Sequence, residues 1–508
     1  MRSFLWALVC LTLLSTCALA DVRLPAIFCD SMVLQRNTEL PIWGWALPGE
    51  AITISLEQQK VAVTADNAGV WKATLKPMKE GGPYELTVAG NNILILKDVL
   101  IGEVWVCSGQ SNMEWTTNRV NNAQAEALAA NYPQIRMFTV TKAISDTPRA
   151  DCVGKWAVCN PQTVGGFSAA GYFYARELYQ SLNIPIGMIH TSWGGTVAEA
   201  WSSRQSLATD PELKGIMNAA DTAMSNYSRL IYDLYGQALT SWLTESQKAK
   251  ADGKPAPPMP MFAVADPRTN PNFPTVLYNA MLAPVIPYRI AGAIWYQGES
   301  NASRAAQYRQ LFPAMITGWR QAWGQGDFPF YFVQLANHMA VQTDPNEWAG
   351  WPELREAQTM TLALPNTGMA TIIDIGEAND IHPRNKQDVG KRLALNALAK
   401  TYGKNVVYSG PTYTSMAVEG DKARIKFANF GGGLEMRGEK LKGFVICGED
   451  KKFVFADAVI DGDSILVSSP QVAKPVAVRY AFANNPVCNL YNKAGLPAVP
   501  FRTDGPVK

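Results

Sequence analysis

Four short segments of this chain carry residue types that together can transfer an acyl group. The first, Gly109-Gln110-Ser111-Asn112-Met113, directly follows the apolar run Val104-Trp105-Val106-Cys107. Open α/β sheets bind ligands outside the carboxyl ends of their strands, so a serine at this point faces the crevice. The preceding glycine lets the backbone turn sharply, and the Ser111 N–H can point at a developing oxyanion. The second segment, His190-Thr191-Ser192-Trp193-Gly194-Gly195-Thr196, also ends a strand-like run. Its paired glycines let a ligand approach the backbone, and Gly194 or Gly195 can offer a second N–H. The third, Trp295-Tyr296-Gln297-Gly298-Glu299-Ser300-Asn301, brings a side-chain N–H at Gln297 and a carboxylate at Glu299 suited to orienting polar neighbours. The fourth, Asp380-Ile381-His382-Pro383, has Asp374 upstream. The chain holds three histidines, His190, His338 and His382, so a base working near neutral pH has few candidates. His382 is the one placed to take the proton of Ser111.

Each segment alone has a plainer reading: a serine that caps a helix, a tight glycine turn, a solvated polar loop, a surface histidine. Their convergence favours chemistry, because nucleophile, oxyanion donors and base all follow strands. Trp115, Trp193 and Trp295 are candidates to stack on a sugar face, with core packing as the alternative.

The elements that must position these segments are legible as alternation. Runs at 104–107, 187–190, 290–296, 330–335 and 369–375 read as strands, and 123–130, 169–182, 305–323 and 387–400 as helices. Alternating strands and helices predict a parallel α/β sheet flanked by helices. Residues 99–404 are expected to form this unit, with an insertion at about 202–274 that holds a polar helical stretch and the loop Gly253-Lys254-Pro255-Ala256-Pro257-Pro258. Residues 21–98 read as short strands at 41–45, 51–56 and 60–64, separated by turn residues. Residues 405–508 read likewise, at 405–408, 422–427, 443–447, 464–467 and 477–482. Strands at such spacing predict a β-sandwich at each end.

Composition bounds the rest. The 508 residues are 47% hydrophobic and 17% charged, and 15 Trp, 18 Tyr and 18 Phe supply a large core, which excludes global disorder. Lys and Arg number 45 against 43 Asp and Glu, so no basic field supports nucleic-acid binding. Arg2, the apolar run Phe4 to Leu14 and the site Ala18-Leu19-Ala20 read as a secretory signal over residues 1–20. Export to the periplasm or the medium follows. Lipid anchoring through Cys17 and a membrane anchor are the minor readings, and no later run is long enough for a span. Of the eight cysteines, six follow residue 20, at 29, 107, 152, 159, 447 and 488. Cys152 and Cys159 are close enough to pair in an exported protein, with buried free thiols as the alternative. No C-x-x-C spacing suggests a metal or redox site. No metal or other cofactor is expected.

The set Gly109-Gln110-Ser111-Asn112-Met113, Trp193-Gly194-Gly195-Thr196, Tyr296-Gln297-Gly298-Glu299-Ser300 and Asp380-Ile381-His382-Pro383-Arg384-Asn385-Lys386 resembles the sialate O-acetylesterases, which are SGNH-type serine esterases. The resemblance covers the 99–404 unit and extends to the flanking β regions. It implies an SGNH-hydrolase-like fold with Ser111 as nucleophile and His382 as base. It also implies the Ser111 N–H, a glycine of the Gly194-Gly195 pair and Gln297 as oxyanion donors. The implied activity is removal of O-acetyl groups from carbohydrate, 9-O-acetylated sialic acids first. The chain departs from the SGNH pattern at one point. The aspartate usually lies three residues before the histidine; here Asn379 holds that place and Asp380 lies two before. Asp380 then orients His382 through its side chain or through its carbonyl. Three other readings stay open: an acetyl esterase for a plant polysaccharide such as xylan, a glycoside hydrolase pairing Glu299 with Asp374 or Asp380, and a non-catalytic carbohydrate-binding protein.

Overall fold

The computed structural model describes residues 21–208, 210–261, 264–347 and 350–505, so the expected leader at 1–20 lies outside them. Its centre is a seven-stranded run. In chain order the strands are β1 (Ile93–Gly109), β2 (Tyr132–Thr139), β3 (Trp156–Cys159), β4 (Ile186–Ser192), β5 (Gly292–Tyr296), β6 (Phe330–Val333) and β7 (Thr367–Ala370). Their spatial order is β7-β6-β5-β1-β4-β2-β3. All neighbours are parallel except the edge pair β2–β3, so the sheet is mixed.

Side-chain alternation explains why these strands read as nearly continuous apolar runs. A strand buried on both faces sends successive residues into different cores. Val104 and Val106 enter one core, and Trp105 and Cys107 the other. Phe330 and Phe332 part from Tyr331 and Val333 in the same way. The helices that cover the faces are α1 (Ser111–Glu114), α2 (Ala169–Leu182), α3 (Ala305–Trp323), α4 (Gly350–Met360) and α5 (Lys386–Lys400). Helices α2 and α5 bury apolar residues in the core with Trp105, and α3 in the core with Val104. Ser168 caps α2 by accepting from the Gly171 N–H, and Asn183 ends it with φ +54°.

Strand β1 sits where the order reverses: β2 and β4 lie to one side of it, β5, β6 and β7 to the other. Such a switch point opens a crevice at the carboxyl ends of the central strands. That is the end of β1, β4 and β5, and the first three candidate segments leave from it.

The N-terminal strands Ala51–Leu56, Gln59–Thr64 and Gly81–Ala89 pair antiparallel, and the last of them pairs with the first half of β1. The expected boundary at 98/99 therefore falls inside an unbroken strand. Leu40–Trp45 pairs with Val70–Leu75 beside them. At the other end, one four-stranded sheet holds Thr412–Glu419, Lys422–Ala428, Ser464–Ser468 and Asp457–Asp461. A second holds Val454–Phe455, Phe444–Cys447, Ala477–Tyr480 and Phe501–Arg502. Ile425 and Val467 of the first share a core with Ile446 and Val478 of the second.

The structure corrects several element-level expectations. The expected strand at 405–408 is absent; the Tyr408 carbonyl is taken by the Asn396 side chain instead of a ladder partner. The six cysteines are free. Cys159 ends β3 inside the core with Trp105, while Cys152 packs against the core with Val104, so the sheet separates them. Within the 202–274 stretch, Pro211–Arg229 and Gly236–Ala251 are helices joined through a π-helical turn at Leu230–Tyr235.

One buried cation fastens the C-terminal region to the centre. Arg355 of α4 is fully buried and donates to the carbonyls of Leu335, Ala336, Ala483 and Asn484 at 2.7–2.8 Å. An Arg355→Met substitution keeps the apolar stem and leaves these carbonyls without their donor. The expected loss is about 3 kcal/mol, the scale of stranded buried polar groups, read as a lower midpoint in urea unfolding.

Candidate active site

Ser111 is the first residue of α1, so its N–H has no acceptor within the helix. The turn into it depends on Gly109, whose φ is +145° and where an added Cβ would lie 2.1 Å from the Tyr296 carbonyl oxygen. Gln110 locks the first loop to the third: its N–H donates to the Tyr296 carbonyl, and its Oε1 accepts from the N–H groups of Gly298 and Ser300. The Trp193 N–H donates to the Gly109 carbonyl and draws in the second loop. Gly194 is then so near the Ser111 loop that a Cβ on it would meet Ser111 Cβ at 3.2 Å.

These loops wall a pocket of about 470 Å³ lined by Ser111, Glu114, Trp115, Thr116, Arg119, Lys142, Trp193, Gly194, Asp380 and His382. Ser111 and His382 share this wall, though they are 271 positions apart in the chain by subtraction of their numbers. Among the described residues no hydrogen bond joins the two. The other histidines are placed elsewhere. His190 is buried with Nε2 2.6 Å from Ser192 Oγ, and burial pushes its pKa down to about 4. His338 Nδ1 lies 3.1 Å from the Glu377 carbonyl oxygen.

His382 is held from two sides. Its ring stacks on Trp115 with centroids 4.8 Å apart and planes 16° from parallel. Asp380 Oδ1 accepts from the His382 backbone N–H at 2.9 Å and lies 3.2 Å from Nδ1. The two-residue spacing works because one carboxylate oxygen reaches both groups, as in an Asx turn. The side chain, rather than the carbonyl, thus faces the ring. Partial burial pushes the His382 pKa below its ordinary value, Lys386 and Arg119 push the same way, and Asp380 opposes them. Hydrogen bonding to the His382 N–H holds the Asp380 carboxyl below the usual range.

The remaining candidates separate. Gln297 is fully buried and does not line the pocket; its Nε2 donates to the Thr196 carbonyl and to Asn301 Oδ1, and its Oε1 accepts from Tyr308. With both N–H groups spent, it buttresses the glycine turn and has no donor left for an oxyanion. Gly195 is exposed and lies outside the pocket lining, so Gly194 is the glycine at the site. The Glu299 carboxylate lies behind the wall, where its Oε1 accepts from the Asn112 amide, and burial of the carboxyl raises its pKa. Asp374 is clamped by Arg392 at 2.6 and 2.9 Å. Neither Glu299 nor Asp374 faces the pocket, so neither expected carboxylate pair, Glu299 with Asp374 or Glu299 with Asp380, meets there. Trp115 and Trp193 line the pocket, whereas Trp295 is fully buried core.

Sequence reasoning missed the pocket's charged residues. Glu114 lies in the same helical turn as Ser111, and its Oε2 accepts from the Gly194 N–H at 2.6 Å. Lys142 holds the other carboxylate oxygen at 2.6 Å, with Nζ 5.3 Å from the Trp193 ring centroid. The Arg119 guanidinium lies 3.7 Å from the Trp115 ring centroid. The i to i+3 spacing of Ser111 and Glu114 was a readable signal; nothing local pointed to Lys142.

The chain is similar to known proteins in sequence and in fold. Residues 269–399 match the family described as carbohydrate esterase, sialic acid-specific acetylesterase. A carbohydrate acetylesterase from Xanthomonas citri superposes with a TM-score of 0.81 at 40% identity, over 95% of this chain and 100% of that one. Fold and sequence thus define a carbohydrate esterase. The sialate O-acetylesterase of Mus musculus is 32% identical over 92% of both chains. That of Homo sapiens is 31% identical over 93% of this chain and 90% of its own. The chain belongs to the sialate O-acetylesterase family.

Proposed function

We propose that this protein is a serine esterase that removes O-acetyl groups from carbohydrate through an acetyl-enzyme on Ser111. The observation that carries the reading is the shared pocket: Ser111, the His382–Asp380 pair and the Gly194 backbone line one cavity. His382 takes the Ser111 proton, and the serine oxygen attacks the acetyl carbonyl. The Ser111 and Gly194 N–H groups stabilise the oxyanion, each such donor being worth roughly 10²–10³ in rate. The C–O bond to the sugar breaks, and the leaving oxygen takes the proton from His382. Water, deprotonated by His382, then releases acetate. The central α/β unit is read as SGNH-type, the terminal strand regions as β-sandwiches, and the protein as exported.

The substrate is an O-acetylated sugar. The exposed Arg119 guanidinium in the pocket wall supports a carboxylate-bearing one, 9-O-acetylated sialic acid. The second reading is a plant polysaccharide such as acetylated xylan, which the same machinery would serve; the 40% identity to the Xanthomonas citri carbohydrate acetylesterase supports an acetylated carbohydrate without choosing the sugar. NMR-followed deacetylation of both substrates side by side tests the order; faster release from xylan reverses it.

The Glu114 carboxylate now occupies the Gly194 N–H that the oxyanion needs. Binding must displace a charge-assisted hydrogen bond of about 1.5–3 kcal/mol, partly recovered through Lys142 and water. Glu114→Ala is therefore expected to raise kcat/KM for 4-nitrophenyl acetate by up to about tenfold. A fall in kcat/KM would show instead that Glu114 holds the glycine turn in its working shape.

A further inference from the structure

Asn112, next to the proposed nucleophile, is buried, and its amide is engaged at both ends. Nδ2 donates to Glu299 Oε1 at 2.6 Å and to the Ile381 carbonyl at 3.0 Å. Oδ1 accepts from Lys386 Nζ at 2.6 Å, and Nζ also donates to the Pro383 carbonyl at 2.7 Å. One amide thus joins the loop after β1, the loop after β5 and both chain neighbours of His382.

The charge inside this knot is not there for stability. Lys386 is fully buried, and among the described residues no carboxylate lies within ion-pair distance of its Nζ. Burial pushes its pKa down to about 7 against the opposing pull of Glu299, Asp380 and Glu377. Glu299 Oε2 is itself buried without a partner. A buried cation without a direct counter-ion costs folding free energy that an apolar side chain of similar length would not. The rings of Tyr296 and Trp115, with centroids 5.3 and 5.8 Å from Nζ, offset part of that cost.

Building on the Ser111–His382 reading, we propose that Lys386, acting through Asn112, is a positioning residue. It fixes the loop of the base against the loop of the nucleophile, and its charge keeps His382 in the proton-accepting form. The groups that face His382 are Asp380 on its own loop, Lys386 at the start of α5 and Arg119 beyond α1, with Glu114 and Lys142 in the opposite wall. Protonated Lys386 pushes the His382 pKa down. Removing that positive charge lets the imidazole hold its proton to higher pH.

The test uses the full chain, 4-nitrophenyl acetate, and NMR titration of the His382 ring protons. Lys386→Met is expected to lower kcat about 10²-fold, the scale of a 1 Å misplacement, with KM changed less than about twofold. The acid limb of the rate profile and the His382 titration both move to higher pH. Asn112→Ala, which breaks the bridge and keeps the cation, is expected to lower kcat with the titration nearly unmoved. A folded Lys386→Met protein with wild-type kcat, or with lowered kcat and an unmoved titration, overturns the proposal. Should Lys386→Met not fold, wild-type kcat in Asn112→Ala overturns it. The titration is repeated in a Ser111→Ala background, where the Lys386 effect is read without turnover. A failure of the serine reading is thereby told apart from a failure of this one.

Discussion

Ser111→Ala is expected to lower kcat for 4-nitrophenyl acetate by about 10⁶-fold, the loss seen when a serine nucleophile acts as one unit with its base. Little else should change. Among the described residues the Ser111 hydroxyl makes no hydrogen bond, so its removal strands no partner and opens no core cavity. The folded state, followed by circular dichroism and thermal midpoint, should match the parent. His382→Ala should cost a similar factor, and the double variant should cost little more than either alone, because the two residues serve the same step. Acetate release within tenfold of the parent in Ser111→Ala would remove the serine from the mechanism. The expected result also has a stoichiometric side: a burst of 4-nitrophenol equal to the enzyme concentration reports the acetyl-enzyme.

The sequence carried the central sheet clearly, for a physical reason. Strands buried on both faces are apolar at every position, and Val104 to Cys107 or Phe330 to Val333 cannot be mistaken for loops. Helices such as α2 and α3 were readable to the residue from their apolar stripe and the turn residues at their ends. Less legible were β2, which opens with the exposed Pro133 and Gln134, and β3, a four-residue strand at the sheet edge. So was α4, which opens on Gly350 and carries Pro352 in its first turn. The same limit governs the site. Ser111 and Gly194 were visible as residues just past the ends of β1 and β4, whereas His382 lies in the long loop between β7, which ends at Ala370, and α5. Gln297 also follows a strand, but its role depends on which way the amide points, and that is decided by Thr196, Asn301 and Tyr308 in the folded core. Glu114, Arg119 and Lys142 enter the pocket through tertiary placement that no local pattern encodes.

The departure at Asp380 gives the second large effect. A main-chain orienter would make the side chain dispensable, and Asp380→Ala would then be nearly silent. The geometry argues otherwise, since Oδ1 lies 3.2 Å from Nδ1 and also accepts from the His382 N–H. The substitution removes the orienting acceptor, the negative charge beside the imidazolium and the anchor of the loop. A buried triad aspartate is worth roughly 10⁴ in kcat. The side chains of Asp380 and His382 are 34% and 25% exposed, so water screens part of the charge, and the expected loss is about 10³-fold. Asp380→Asn keeps an acceptor for the N–H and loses only the charge, so it should fall between Asp380→Ala and the parent. The pH profile separates this role from that of Lys386. Asp380 raises the His382 pKa, so its loss lowers that pKa further, and the acid limb of kcat/KM moves to lower pH while the plateau falls. Loss of the Lys386 cation moves the same limb to higher pH. Limbs that moved together in the two variants, or an Asp380→Ala protein with parental kcat, would mean that the carboxylate does not act on the imidazole.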